Sequence, residues 1–243
     1  MIETNKLYHA DCYELIKQIP DKSIDCIYTD IPYFIVAGGA GHSELAKRIN
    51  KIQNEEIDDI VDGIDYEILK DFIRVMKKIN CFIWCSKLQI NDIMTFFNEI
   101  GCNFEMLVWC KDNPTPQTNN VWLPDLEYCL YFREKGVPLN NGYELKSKWF
   151  KSPINKKDKD TYDHPTIKPL QLVKRHLLHA TQPNDVVLDP FVGSGTTALA
   201  AMETGRQYIA IEKNSNYYRI ASDRINGITA SGQFTMFNGE AIK

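Results

Sequence analysis

Ser23-Ile24-Asp25-Cys26-Ile27-Tyr28-Thr29-Asp30-Ile31-Pro32-Tyr33 is the stretch around which the rest of the chain makes most sense. Residues 24–28 are mostly apolar and β-prone, which predicts a buried strand. The strand stops at Asp30-Ile31-Pro32-Tyr33. Pro32 lacks an N–H and biases Ile31 towards an extended backbone, so the strand end becomes a stiff corner. The corner offers a carboxylate at Asp30, a backbone carbonyl at Ile31 and an aromatic face at Tyr33. Ligands of open α/β sheets sit beyond the carboxyl ends of strands. Two acceptors beside a ring suit a flat ligand with an exocyclic amino group: the acceptors take two N–H bonds and the ring stacks on the heterocycle. An ordinary strand and turn accounts for the same four residues, so the corner needs support from elsewhere in the chain.

A second stretch supplies it: Asp185-Val186-Val187-Leu188-Asp189-Pro190-Phe191-Val192-Gly193-Ser194-Gly195-Thr196-Thr197-Ala198. A buried strand ends in an acid, then comes a glycine turn, then a helix. Gly193, Gly195 and Ala198 match the loose G-x-G-x-x-G/A pattern, which lets a backbone approach a cofactor closely. The next strand, residues 208–211, ends at Glu212, where an acid is placed to bind ribose hydroxyls. Taken alone, this fits a dinucleotide site as well as a nucleoside one, and a tight turn without any ligand fits too.

Between these stretches, apolar and helical patterns alternate. Residues 7–10 form a short extended lead-in, and Asp11 precedes a short helix over 13–18 as its cap or as a ligand contact. Ile68, Leu69, Phe72, Ile73 and Met76 have helical spacing, which predicts a helix over 66–78. Residues 81–85, 104–110 and 126–132 read as strands, and Ile90, Ile93, Met94 and Phe97 mark another helix. The prolines of Lys111-Asp112-Asn113-Pro114-Thr115-Pro116 make that segment a loop. His164-Pro165-Thr166-Ile167-Lys168-Pro169 leads into a helix over 170–180, with Pro169 suited to the first turn. Thr166 and Lys168 then lie near a helix N-terminus, which attracts anions such as a ligand carboxylate; helix capping is the simpler role. Strands alternating with helices predict an α/β fold with a doubly wound, mostly parallel sheet.

Two segments depart from this rhythm. Gly38, Gly39 and Gly41, followed by Lys47, Arg48 and Lys51 and then by acids, suggest either a lid over a substrate or a solvated helical insertion. Residues 133–160 interleave Lys146, Lys148, Lys151 and further basic residues with Tyr143, Trp149 and Phe150. That mixture suits phosphate contacts and base stacking, or equally a solvated insertion. From Gly232 on, no pattern is evident and a loose tail is expected.

The 243 residues suffice for one α/β domain with insertions. A formal charge of -4 gives no global signal for nucleic acid, so such a contact has to come from a local patch. The seven cysteines show no CxxC spacing, and Cys81 and Cys85 are expected as core thiols. The five histidines form no metal set; His176 and His179 share a helix face and are expected at the surface. With no signal peptide and no long apolar span, the expectation is a cytoplasmic protein without a membrane partner.

Together the two stretches resemble the S-adenosylmethionine-dependent amino DNA methyltransferases, and the order, corner early and glycine loop late, resembles their permuted β group. The likeness runs over Asp11, Asp30 to Tyr33, Asn113-Pro114, His164 to Pro169 and Asp189 to Thr197. It implies a class I methyltransferase fold with a catalytic half over 1–132, carrying the lid-like insertion 34–64. A small target-recognition insertion over 133–163, a cofactor-binding half over 164–230 and a tail over 231–243 would follow. By this resemblance Asp30 and the Ile31 carbonyl accept the amino hydrogens of a target base, Pro32 shapes the corner and Tyr33 stacks on the base. Asp189 would bind the cofactor's amino group, Glu212 its ribose, Asp11 its adenine, and Thr166 with Lys168 its carboxylate. Gly193 and Gly195 would allow close approach, with Phe191, Ser194 and Thr196 in the same cofactor site. The implied partner is double-stranded DNA with its target base flipped out; a homodimer stays open. The family corner has proline where this chain has Ile31, a change that keeps the carbonyl. Asp rather than Ser at the first corner position favours adenine N6 over cytosine N4 within the family. Methylation of RNA or of a protein amide, a nicotinamide dehydrogenase using the same glycine loop, and a non-catalytic nucleic-acid-binding module are the alternatives.

Overall fold

In the computed structural model, residues 2–34, 63–117, 120–140, 142–154 and 167–227 are described. Their strands are β1 (Lys6–His9), β2 (Cys26–Asp30), β3 (Asn80–Cys85), β4 (Asn103–Lys111), β5 (Leu126–Arg133), β6 (Trp149–Ser152), β7 (Val186–Asp189) and β8 (Gln207–Glu212). Their α-helices are α1 (Cys12–Leu15), α2 (Ile68–Val75), α3 (Ile90–Ile100), α4 (Leu170–Ala180), α5 (Thr196–Glu203) and α6 (Ser215–Ile225). The strands make one sheet in the order β1-β8-β7-β2-β3-β5-β4-β6. Neighbours run parallel except at β5, which is antiparallel to both β3 and β4.

Every residue of β3 is buried, as a central strand covered on both faces must be. Its side chains alternate between two cores. Cys81, Ile83 and Cys85 join Phe72 of α2 and Phe97 of α3 on one face. Phe82 and Trp84 join Leu172 and Leu177 of α4 and Ala198 of α5 on the other. Helices on both faces make the sheet doubly wound, and the thiols of Cys81 and Cys85 are free and buried as expected. α2 forms because Ile68, Leu69, Phe72 and Val75 recur at helical spacing and are all buried. α3 stops at Gly101, whose left-handed φ of 77° lets its N–H reach the Phe97 carbonyl.

The chain proceeds outward from β7 to β8 on one side, and from β2 to β3 on the other. Adjacent strands that lead away from each other leave a crevice beyond their carboxyl ends. Asp189 ends β7 and Asp30 ends β2, so both acids meet that crevice.

Some expectations shift. β2 covers residues 26–30 rather than 24–28, because the Ser23 and Ile24 N–H groups are spent on the Val75 carbonyl. Residues 133–163 contain β6, which adds to the sheet edge beside β4. α6 follows Glu212, capped by the Asn214 side chain, which accepts from the Asn216 and Tyr217 N–H groups. His176 is buried, not at the surface: its ring stacks on Phe82 and its Nδ1 lies 3.1 Å from the Tyr28 hydroxyl. Burial lowers its pKa to about 3, which leaves the ring neutral. Thr166, most of the lid-like insertion 34–64, part of 133–163 and the tail 231–243 lie outside the described residues. Among the described residues no helix is long and apolar enough to cross a membrane.

Candidate active site

The end of β2 carries the corner. The Ile31 N–H donates to the Trp84 carbonyl at 3.2 Å, one rung beyond the strand. Proline could not make that bond, so Ile31 ties the corner to β3 by a hydrogen bond instead of by a ring. Asp30 divides its two oxygens. Oδ2 lies 2.5 Å from the Lys168 ammonium, whereas Oδ1 is buried and has no hydrogen-bond partner among the described residues. The Tyr33 hydroxyl accepts from Lys168 at 3.3 Å. The ammonium also lies 5.2 Å from the Trp84 ring centre and 5.6 Å from that of Tyr33, within cation–π range.

Lys168 has a second carboxylate, Glu127 of β5, at 2.8 Å, and Lys111 of β4 holds the other Glu127 oxygen at 2.7 Å. Charges therefore alternate along Lys111, Glu127, Lys168 and Asp30. Burial alone would raise the Glu127 carboxyl, but the two lysines outweigh it and hold it down at about 2. Burial likewise opposes charge on Lys168, yet its two carboxylates keep it well above the ordinary lysine value. Asp30 has one cation rather than two, and burial leaves its pKa raised. The resemblance assigns Lys168 to the cofactor's carboxylate. In the structure its ammonium is committed to Asp30 and Glu127, because a buried cation is stable only with its charge matched.

The end of β7 carries the glycine turn. Asp189 is buried, and its Oδ1 accepts from the Phe191 N–H at 3.1 Å. Desolvation pushes its pKa up to about 7. Glu212, at the end of β8, accepts from the Gly193 N–H at 2.9 Å and from the Asn214 N–H at 2.8 Å, so it clamps the turn to the neighbouring strand. Gly193 and Gly195 both have left-handed φ values, 52° and 82°. Asp11 caps α1 by accepting from the Tyr13 N–H at 2.9 Å, its other oxygen lying 3.4 Å from the Lys213 ammonium. Arg224 of α6, itself buried, donates to the hydroxyls of Ser194 and Thr196, each at 3.0 Å.

Both loops open into one cavity of 440 Å³. Asp11, Asp30, Ile31, Pro32, Tyr33, Lys168, Asp189, Phe191, Gly193, Ser194, Thr196 and Glu212 all line it. Gly195 does not: a Cβ there would meet the Cα and Cβ of Ala221 at 3.2 Å, so its bareness serves the packing of α6 rather than approach to a ligand. Glu127 and Trp84 line the cavity unforeseen, as part of strands that looked purely structural. Among the described residues, no cluster of His, Cys, Asp or Glu could hold a metal ion.

A protein family described as DNA methylase matches residues 24–223. The chain belongs to this family. The Type II methyltransferase M2.LlaDCHI of Lactococcus lactis subsp. cremoris is 31% identical, covering 90% of this chain and 88% of that protein. The Type II methyltransferase M2.DpnII of Streptococcus pneumoniae is 29% identical over the same shares. Among solved structures, the M1.HpyAVI–SAM complex is 29% identical with a TM-score of 0.67, covering 90% of this chain and 98% of that one. The cytosine-N4-specific PvuII DNA methyltransferase, at 17% identity and a TM-score of 0.69, shares the class I methyltransferase fold. The enzyme is thus a site-specific DNA methyltransferase, and S-adenosylmethionine is its cofactor. The cavity fits that cofactor. A buried acid whose charge needs a partner, a second acid on the neighbouring strand and a bare Gly193 backbone match an ammonium, a ribose and a close approach.

Proposed function

We propose that Asp30 Oδ1 and the Ile31 carbonyl receive the two amino hydrogens of a flipped target adenine, with Tyr33 stacked on its ring. The supporting observation is the division of labour on Asp30: Lys168 occupies one oxygen, and the other is buried without a partner among the described residues, in a cavity that Ile31 also lines. Adenine N6 is the acceptor atom, in keeping with Asp at the first corner position and with the Type II relatives. An exocyclic amine is a poor nucleophile because its lone pair is delocalised into the ring. Hydrogen bonds from both N–H groups to fixed acceptors favour a pyramidal nitrogen with an available lone pair. S-adenosylmethionine, when bound, supplies an electrophilic methyl group on its sulfonium. Asp189 would hold the cofactor's ammonium, Glu212 its ribose and Asp11 its adenine, all three lining the same cavity as the corner. Asp30 and Ile31 would hold the amine in place for transfer, and this positioning would supply much of the rate. Lys168 keeps Asp30 oriented and its charge compensated, so that the free oxygen serves as an acceptor.

The target atom is inaccessible inside a duplex, so the base leaves the stack. The edge formed by β4, β5 and β6 is the face that meets DNA. Trp122 is 98% exposed and Tyr143 and Trp149 are exposed, while Lys148 and Lys151, which flank Trp149 in the sequence, pair with Glu105 and Asp112. Residues 133–163 then recognise the sequence, in a cytoplasmic protein. The test is to digest DNA from expressing cells to nucleosides. N6-methyladenine is expected with the wild type and none with Asp30→Ala, which retains cofactor binding. Near-normal methylation by Asp30→Ala refutes the assignment.

A further inference from the structure

Gln89 stands at the start of α3 with 1% of its surface exposed, and its side-chain amide closes the gap between the ends of β2 and β3. In the parallel ladder of these strands Asp30 pairs with Trp84, and the Ile31 N–H donates to the Trp84 carbonyl. The rung after that would join the Ser86 N–H to the Ile31 carbonyl. It does not form. The Ser86 N–H donates to Gln89 Oε1 at 3.0 Å, and Gln89 Nε2 donates to the Pro32 carbonyl at 2.8 Å. The partners fix the amide's orientation, since one offers only a hydrogen and the other only an oxygen. Among the described residues no donor reaches the Ile31 carbonyl, and Ile31 lines the cavity.

We infer that Gln89 is a positioning residue for methyl transfer: it diverts the one backbone donor that would quench the Ile31 carbonyl and pins the peptide that follows. The inference rests on the reading that this carbonyl accepts a hydrogen of the target amine. Gln89 does not line the cavity. Among the described residues it leaves an acceptor pre-set and unpaired, so none of their hydrogen bonds has to break for the amine to dock. An aliphatic residue of the same length would fill the space, release the Ser86 N–H to continue the ladder and unpin Pro32.

The experiment compares wild type, Gln89→Met and Gln89→Glu on plasmid DNA from a host without adenine methylation, with S-adenosylmethionine binding measured by calorimetry. Gln89→Met is expected to lower kcat by about 10- to 100-fold, as loss of fixed alignment does, with cofactor affinity unchanged. Gln89→Glu keeps the acceptor for Ser86 but places a charged oxygen against the Pro32 carbonyl. Burial at this position raises the carboxyl, and protonation gives it an O–H donor for that carbonyl, so its kcat relative to wild type should rise as pH falls from about 8 to 6. A merely structural role would not produce this rescue. A wild-type kcat in Gln89→Met, or a Gln89→Glu pH profile parallel to wild type, overturns the inference alone. Should Gln89→Met not fold, the Gln89→Glu profile decides. Wild-type enzyme that transfers no methyl group to adenine in this DNA overturns the underlying reading and the inference with it.

Discussion

The Lys168 ammonium lies 2.5 Å from Asp30 Oδ2, although the two residues are 138 positions apart in the chain. This contact joins the corner at the end of β2 to the segment that leads into α4, and Glu127 completes it from the antiparallel strand. Lys168 thus bridges two carboxylates, of which Glu127 also has Lys111 and Asp30 does not. Lys168→Met leaves both acids without the bridging cation and is expected to cost about 3–5 kcal/mol of stability, the range for breaking a buried pair. Asp30 is already raised by burial and is restrained by Lys168, so its pKa rises further in the variant. The acid limb of the pH–rate profile should therefore move to higher pH. Urea unfolding and a pH–rate profile check both statements; an unmoved acid limb rules out the link between Lys168 and the charge on Asp30.

If Asp189 holds the cofactor's ammonium, as proposed, cofactor binding depends on pH. Its pKa of about 7 means that, in the ligand-free enzyme, the carboxyl is increasingly protonated as pH falls below that value. An ammonium binds the ionised form, so binding releases a proton. Affinity should weaken by up to about tenfold per pH unit below 7 and level off above it. Calorimetry in two buffers of different ionisation enthalpy detects the released proton, and Asp189→Asn should abolish both effects. The same group bears on folding with the opposite sign. Its folded pKa lies above its ordinary 3.8, so the native state holds the extra proton and stability from this group falls as pH rises from about 4 to 7.

Trp122 is expected to work on DNA and on nothing else. It is 98% exposed, between the end of β4 and the start of β5. Its removal should leave stability within about 0.5 kcal/mol. Stacking on an unstacked base, such as one exposed by flipping, is worth about 1–3 kcal/mol, so Trp122→Ala should weaken binding of duplex with a flipped target by about 5- to 150-fold. Cofactor affinity should stay unchanged. Gel-shift titration beside calorimetry separates the two, and unchanged duplex affinity removes Trp122 from the interface.

The central sheet was legible because its signals are local. Apolar, β-prone runs punctuated by Asp30-Ile31-Pro32 and by Asp189-Pro190 announce buried strands that end at a site. The elements missed lacked such a signal. β6 is Trp149-Phe150-Lys151-Ser152, whose basic and aromatic character reads as a solvated patch; only its pairing with β4, some forty residues back, makes it a strand. α6 buries a narrow stripe of Ile220, Ala221 and Arg224 in an otherwise polar segment. At the site, the residues that carry the corner were readable, but their supports were not. Glu127 meets Lys168 only through the antiparallel turn of β5, and Gln89 looks like part of a polar turn until Ser86 and Pro32 are placed beside it. His176 ran opposite to its usual placement: its ring stacks on Phe82 and its Nδ1 pairs with the Tyr28 hydroxyl, while its Nε2 has no partner among the described residues.

Gly195 separates a packing role from a ligand role in the glycine turn. Its φ of 82° disfavours any side chain, and a Cβ would meet the Ala221 Cα and Cβ, both at 3.2 Å, and the Ala221 backbone oxygen at 3.3 Å. Gly195→Ala therefore combines backbone strain with overpacking, each of which costs about 1–3 kcal/mol. Ala221→Gly removes one of the offending atoms but leaves the backbone conformation as it is. If the clash matters, the double variant should recover about 1 kcal/mol relative to the sum of the single changes, within the range for residues in contact. The residual loss then measures the strain. Because Gly195 does not line the cavity, S-adenosylmethionine affinity should fall no further than the population of folded enzyme does. Thermal unfolding of the four proteins gives the coupling, and calorimetry on the folded fraction gives the affinity. Strict additivity, or an affinity loss in fully folded Gly195→Ala, would return this glycine to the cofactor's own surroundings.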